Sequence, residues 1–339
     1  MKPALLITNL GTPESPTAKD VGPYLKEFLS DKYVLTMPAP IRWALVNLLI
    51  VPRRSQASAK NYQKIWTDRG SPLMFHTQDF VDGVRKSFDG AEVFLSMRYG
   101  KPSLFETMKS IVDSGHRDLW LFPLYPQYAE STVRTTIERV QELINENNWP
   151  LKLRFLDRFY DSEYYIDSMV QLIRSHLESF KADHLLFSYH GVPVSHVLKT
   201  DPTGKHCDRV PECCAKPVEA NKNCYRFHCI QTTRNILNHL DLPKEQVTNV
   251  FQSRLGPNRW LEPATDKTII ELAQSGVKKL AVVCPAFVMD CLETLEEIGQ
   301  EGRELFLENG GEDYHMIPCL NSESHWVQNS IKLVQSEFN

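Results

Sequence analysis

The chain has 339 residues, 42% of them apolar and 24% charged, and a net charge of −4 at neutral pH. That length accommodates two domains with separate cores, and the composition is that of a globular protein. The acidic balance excludes the basic footprint of a nucleic-acid-binding surface, and no run reaches the length of a membrane-spanning helix.

In chain order, apolar runs of strand length fall at 4–9, 92–97, 119–122, 151–156, 184–188, 247–252, 280–283 and 315–318. The first is too short for a signal peptide and has no cleavage site behind it, so it reads as the opening strand of a cytosolic protein. The segment Ile41-Arg42-Trp43-Ala44-Leu45-Val46-Asn47-Leu48-Leu49-Ile50 ends at Pro52-Arg53-Arg54. It reads either as an ordinary core helix or as an amphipathic lip touching a membrane surface. Helical patterns such as 104–114 and 132–147 separate the strands, which predicts βαβ units and parallel sheets.

The two halves echo each other. Leu5-Leu6-Ile7-Thr8-Asn9-Leu10-Gly11-Thr12-Pro13 parallels Leu185-Leu186-Phe187-Ser188-Tyr189-His190-Gly191-Val192-Pro193, and Ser96-Met97-Arg98-Tyr99-Gly100 parallels Ser253-Arg254-Leu255-Gly256. Ser114-Gly115 before one strand parallels Ser275-Gly276 before another. The expected fold is α/β: two Rossmann-like domains, each with a four-stranded parallel sheet flanked by helices. The expected domains are 1–165, with the lip at 34–54, and 166–322, with a cysteine-rich insert at 201–229. A last helix in 323–339 is expected to pack back on the first domain.

No Gly-x-Gly-x-x-Gly or Walker-type loop follows a strand, so a nucleotide cofactor is not indicated. Ligands of such sheets sit at the strands' C-terminal ends, where Asn9, Arg98, Tyr125, His190, Ser253 and Phe287 lie. After the strand at 280–283 and Cys284-Pro285, the acids Asp290, Glu293 and Glu297 follow at i, i+3 and i+7. On an α-helix they fall within about 60° of one another. An imidazole at His190, at the end of a neighbouring strand, faces that row and can accept protons or ligate a metal. A histidine with carboxylates alone is a loose site, suited to transient rather than structural metal binding. Tyr125, Tyr128, Trp260 and Phe287 can wall a flat apolar ligand, and Arg98 with Tyr128 can hold its acidic group.

Over nearly its whole length the chain resembles the ferrochelatases. The resemblance is carried by Asn9-Leu10-Gly11-Thr12-Pro13, Gly70-Ser71-Pro72-Leu73, Met97-Arg98-Tyr99-Gly100 and Phe122-Pro123-Leu124-Tyr125-Pro126-Gln127-Tyr128. Ser188-Tyr189-His190-Gly191-Val192-Pro193, Phe251-Gln252-Ser253-Arg254 with Trp260, Cys284-Pro285-Ala286-Phe287 and Asp290-Cys291-Leu292-Glu293-Thr294-Leu295-Glu296-Glu297 complete it. It implies insertion of Fe²⁺ into protoporphyrin IX, the last step of protohaem synthesis. His190 and Glu293 match the iron-site pair, Asp290 and Glu297 the rest of the acidic path, and Leu10, Arg98, Tyr125, Tyr128, Ser253, Trp260 and Phe287 the porphyrin contacts. Many relatives carry a second histidine where this chain has Cys291. Two other readings are weighed beside this one: coproporphyrin III as the ring, and a non-catalytic tetrapyrrole or iron–sulfur sensor. A sensor has no need of a proton acceptor.

Five of the eight cysteines, Cys207, Cys213, Cys214, Cys224 and Cys229, crowd one stretch that has no helix or strand period. Such a loop buries no core of its own, and thiolate–metal bonds are the plausible source of its order. Four thiolates suit a structural zinc or a [2Fe–2S] centre equally. Some ferrochelatases carry a [2Fe–2S] cluster on an internal insert of this kind. The resemblance therefore implies that cluster as cofactor, on Cys207, Cys213, Cys214 and Cys224, with Cys229 in reserve. The expected partners are the porphyrin and ferrous iron, with peripheral contact to the inner membrane face. The sequence leaves the oligomeric state open.

Overall fold

A computed structural model of the chain describes residues 2–254, 256 and 258–338. Leu255, in the second-half copy of the repeated motif, lies outside them. The strands are β1 Ala4–Thr12, β2 Glu92–Gly100, β3 Asp118–Pro123, β4 Lys152–Phe155, β5 His184–His190, β6 Val247–Gln252, β7 Lys279–Val283 and β8 Asp313–Met316. They form two four-stranded sheets, ordered β2-β1-β3-β4 and β6-β5-β7-β8, with every pairing parallel. The order is the same in both halves, so the expected duplicated α/β architecture is borne out.

The helices are α1 Ala18–Leu29, α2 Ala39–Ala44, α3 Val51–Ile65, α4 Pro72–Ser87, α5 Leu104–Asp113, α6 Thr135–Glu146, α7 Glu163–Phe180, α8 Val194–Thr200, α9 Tyr225–Leu237, α10 Thr265–Gln274, α11 Gly302–Glu308 and α12 Ser324–Phe338. Three π-helical segments, Leu45–Ile50, Glu130–Arg134 and Glu293–Glu301, lead into α3, α6 and α11.

The chain divides into two compact units. One comprises Met1–Tyr125, Glu130–Asp157 and Asn321–Asn339; the other comprises Pro126–Ala129 and Arg158–Leu320. Helix α12 belongs to the first unit, where Trp326 stacks on Phe80 at 5.7 Å and Phe338 on Trp120 at 5.2 Å. In the first unit Leu6, Leu119 and Leu121 of β1 and β3 bury against Leu104, Met108 and Ile111 of α5 and Val140 and Leu143 of α6. In the second, Leu186, Leu280 and Val282 bury against Ile269 of α10, Ile298 and Phe306. Central parallel strands are covered on both faces, which is why β1, β5 and β7 read as unbroken apolar runs rather than alternating ones.

The matched motifs end in matched geometry. At Gly11, with φ +114°, a Cβ would lie 1.8 Å from the Tyr99 carbonyl oxygen of the neighbouring strand. At Gly191 it would lie 2.6 Å from the Gln252 carbonyl oxygen, to which the Gly191 N–H also donates at 2.7 Å. Glycine is required wherever one backbone passes this close to another.

The segment from Ala39 to Ile50 is no core helix. Ile41, Trp43, Leu48 and Leu49 are among the most exposed large apolar side chains described, Leu48 at 65%, and only Val46 is buried there. No helix among the described residues is long and apolar enough to cross a membrane.

Candidate functional site

The geometry of the second unit starts at the end of β5. The His190 ring Nδ1 lies 2.6 Å from the Gly191 carbonyl oxygen. A carbonyl only accepts, so Nδ1 carries the proton and Nε2 keeps a lone pair for a proton or a metal. Phe287, in the turn after β7, meets the imidazole edge-on at 6.2 Å. Trp260 forms a backbone bridge with Pro193, and its ring would lie 3.4 Å from a Cβ placed at Gly191.

The acids are not arranged as an α-helical row. Asp290 lies in the turn before the helix, and Glu293 opens a π-helix that runs to Glu301. In a π-helix, i→i+5 hydrogen bonding keeps residues four and five apart on one face, so Glu293 and Glu297 stay together while Asp290 is taken elsewhere. The Asp290 carboxylate is buried and accepts from the Thr294 hydroxyl at 2.9 Å and the Cys319 N–H at 3.3 Å. It ties the turn to the chain after β8.

Glu297 is held by one residue at both oxygens: the Ser253 N–H donates to Oε1 at 2.7 Å and the Ser253 hydroxyl to Oε2. Ser253 adopts φ +63° to do this, a left-handed conformation that costs a non-glycine residue energy and marks a constrained position. Burial raises the Glu297 pKa, against the lowering effects of Ser253 and of His190, and nearby Glu293 raises it further. Glu297 is therefore within electrostatic reach of both His190 and Glu293. Gln252 fastens the π-helix to the sheet, donating to the Glu293 carbonyl oxygen at 2.9 Å and accepting from Ser188 at 2.8 Å. Cys291 is buried, and burial followed by Glu293 keeps its thiol protonated.

Residues that sequence reasoning missed do the positioning, and most lie on α9. The Tyr225 hydroxyl donates to the His190 carbonyl oxygen at 2.8 Å. His228 accepts the Tyr128 N–H on Nδ1 at 3.2 Å and donates from Nε2 to the Lys222 carbonyl oxygen at 2.9 Å. Thr232 accepts from Gln127 at 3.1 Å, and Thr233 meets the Tyr189 hydroxyl at 2.8 Å. Gln127 and Tyr165 both reach the Pro285 carbonyl oxygen, at 3.3 and 2.6 Å. Nothing in the periodicity of 225–237 marks these polar residues as anchors.

Leu10, Arg98 and Tyr125 belong to the first unit. The Leu10 N–H is capped by the Asn9 side chain at 2.8 Å. Arg98 is paired with Asp31 at 2.6 Å, bonded to Thr135 at 2.7 Å, and lies over Tyr99. Its charge is thus balanced inside the unit. Tyr125 is buried, which pushes its phenol pKa up.

In the insert, Cys207, Cys213, Cys214 and Cys224 are all buried, and none is in a disulfide. The Cys213 and Cys214 sulfurs lie 3.8 Å apart, and the Cys207 thiol donates to the Ala220 carbonyl oxygen at 3.3 Å. The Cys214 thiol is lowered to about 7, first by Cys224 and also by Cys213, Arg226 and Arg234, against its burial. Cys229, on α9, is buried too, and burial pushes its thiol up. Polar side chains fold the loop. Asp201 accepts the N–H groups of Thr203, His206 and Cys207 at 2.8, 2.8 and 3.0 Å, and Asn221 donates to the Cys213 carbonyl oxygen at 3.1 Å. No three His, Cys, Asp or Glu side chains among the described residues are placed to hold a single metal ion.

A family model described as Ferrochelatase matches residues 2–338. The chain belongs to the ferrochelatase family. It is similar to the ferrochelatase of Pseudomonas savastanoi pv. phaseolicola (strain 1448A / Race 6), with 42% identity over 98% of this chain and 97% of that one. With the ferrochelatase of Stutzerimonas stutzeri (strain A1501) it shares 44% identity over 97% and 96%. Among solved structures, SirB from Bacillus subtilis with Fe3+ aligns at TM-score 0.56 and 10% identity, covering 99% of this chain and 96% of that one. CbiX, the terminal enzyme for biosynthesis of siroheme in denitrifying bacteria, aligns at 0.51 and 10% over the full length of both. At such identities the likeness concerns the fold alone. The reaction of a ferrochelatase is metal insertion into a porphyrin, within haem biosynthesis, with Fe²⁺ as substrate.

His228 sets an acid limit on the stability of the fold. Burial lowers its pKa from 6.5 to about 3, so between those values the unfolded chain takes up a proton that the folded chain refuses. Stability then falls as pH drops through that window, by up to about 1.4 kcal/mol per pH unit from this group. Urea unfolding at pH 7 and pH 5 is expected to show a larger loss in the wild type than in His228→Gln. Equal losses contradict the assignment.

Proposed function

We propose that this chain inserts Fe²⁺ into protoporphyrin IX, forming protohaem and releasing two protons. The observation that carries the reading is His190: its Nδ1–H is committed to the Gly191 carbonyl, which leaves Nε2 available, and its ring is within electrostatic reach of Glu297. Each of the two pyrrole N–H bonds must break as an Fe–N bond forms. His190 Nε2 accepts the two protons one after the other, passing the first to the carboxylates before it takes the second. Burial raises the Glu297 pKa and so makes its carboxylate the stronger base. Glu293 and His190 together suit transient contact with the incoming Fe²⁺, since a histidine with carboxylates holds a borderline metal loosely. In this reading Asp290 serves the acidic path by anchoring its turn.

Phe287, Trp260, Tyr128 and Ser253 are assigned as porphyrin contacts of the second unit; Leu10, Arg98 and Tyr125 are those of the first. Apolar contacts that favour a bent macrocycle over a flat one would lower the insertion barrier and hold the flatter product less well. His190→Ala is expected to cut turnover at least a thousandfold, and Glu293→Gln about a hundredfold or more, with porphyrin binding retained. Anaerobic assays with Fe²⁺ check this, run in parallel with protoporphyrin and coproporphyrin. Near-normal turnover in either variant contradicts the roles, and a preference for coproporphyrin changes the substrate.

We also propose a [2Fe–2S] centre on Cys207, Cys213, Cys214 and Cys224. The reading is supported by four buried thiols on a loop held by Asp201 and Asn221, with the Cys213 and Cys214 sulfurs 3.8 Å apart and with Arg226 and Arg234 favouring thiolate at Cys214. Such a centre would supply thiolate-ligated iron that orders the loop. Anaerobically purified protein is expected to contain two irons and two acid-labile sulfides per chain. Stoichiometric zinc without sulfide makes the quartet a zinc site.

The exposed Ile41, Trp43, Leu48 and Leu49, followed by Arg53 and Arg54, support placing the protein in the cytoplasm with this lip against the inner membrane face. Binding to anionic vesicles is expected to be weak and salt-sensitive, and reduced about tenfold or more in the double variant Leu48→Asp, Leu49→Asp. Unchanged partitioning in the folded variant removes the membrane contact.

A further inference from the structure

We infer that helix α9 couples the cysteine quartet to His190, with Tyr225 as the positioning residue. The inference rests on the reading of the quartet as metal ligands. Cys224 is one of the four buried thiols and, like Cys207, is fully buried. It is also the residue that immediately precedes α9, where its side chain makes no cap hydrogen bond. A helix start without a side-chain cap leaves N–H donors unsatisfied. The start of α9 is held from the insert instead: the Cys224 N–H reaches the Asn221 carbonyl oxygen at 2.9 Å, and the His228 ring reaches the Lys222 carbonyl oxygen. Whatever fixes Cys224 therefore fixes the first turn of the helix.

Tyr225, one residue on, carries that position to the site. The peptide group joining His190 to Gly191 is gripped at both ends. Its carbonyl accepts from the Tyr225 hydroxyl at 2.8 Å, and its N–H donates to the Gln252 carbonyl oxygen at 2.7 Å. Two bonds on opposite edges of one peptide plane fix its rotation, and with it the direction of the His190 side chain. Removing the Tyr225 hydroxyl leaves one grip. His228 repeats the arrangement one helical turn later, holding the Tyr128 N–H. Release of the quartet loosens the first turn of α9 and frees the His190 carbonyl; the bond made there by Tyr225 is the link.

The test compares wild type with Tyr225→Phe, which keeps the ring and deletes the hydroxyl. Each is studied as purified and after its iron has been stripped by a chelator under reductant. Iron and sulfide content and the visible spectrum of Tyr225→Phe should match wild type. Its kcat should fall about three- to tenfold with the porphyrin KM unchanged, the scale of one lost buried hydrogen bond. Hydrogen–deuterium exchange of the 189–193 backbone should quicken in Tyr225→Phe. Stripping should quicken it in wild type to a similar degree and add little in Tyr225→Phe. Exchange at 189–193 that is unchanged by stripping, or that rises equally in both proteins, overturns the coupling. Wild type that contains neither iron nor sulfide removes the ligand reading itself, and with it the inference. Wild-type kcat and exchange in Tyr225→Phe, with the cluster present, overturn the coupling alone.

Discussion

The inner face of α9 supplies hydrogen bonds to the loop around Gln127 and Tyr128, to the β5 strand at Tyr189, and to the strand end at His190. Backbone in a strand-end turn leaves the sheet ladder and needs new partners, because a buried carbonyl or N–H without one is costly. Here Tyr225 and His228 take up the backbone groups of His190 and Tyr128, while Thr232 and Thr233 hold the Gln127 and Tyr189 side chains. The His190 carbonyl is thus held by α9. Helix α9 in turn begins at Cys224, so the insert is part of the scaffold of the second unit.

The two units show how one architecture diverges. Both use the same strand order, and both require glycine where β1 and β5 pass their neighbours. In the first unit a π-helical segment at Glu130–Arg134 leads into α6; in the second, Glu293–Glu301 leads into α11. The second segment keeps Glu293 and Glu297 on one face and lets Ser253 clamp Glu297 from the end of β6. The corresponding strand end in the first unit holds Arg98, whose charge is balanced by Asp31. The arginine itself is kept in both copies of the motif: Arg98 pairs with Asp31, and its counterpart Arg254 pairs with Asp266.

All eight strands were legible because central parallel strands are continuous apolar runs closed by turn residues. Their ends were less so: β1 runs on to Thr12 because the backbone around Gly11 still pairs with Tyr99, which side-chain pattern does not encode. The π-helix was illegible for a related reason. The i→i+5 ladder depends on backbone bonding, and the spacing of Asp290, Glu293 and Glu297 looks equally natural on an α-helix. That is why Asp290 was expected in the row and is found anchoring a turn. His190 and Glu293 stood out from their places after apolar strands. Tyr225, His228 and Thr232 did not, since polar residues inside an amphipathic helix look the same whether they face water or hold a loop.

The claim that α9 pins the strand-end loops is tested most directly at His228. Its two bonds require Nε2 to carry the proton and Nδ1 to accept from Tyr128. Nitrogen-15 spectra of the histidine rings, recorded from neutral pH down to about pH 5, are expected to show one histidine fixed in that neutral tautomer throughout. A His228 ring that is protonated at neutral pH, or that exchanges between tautomers, contradicts the account.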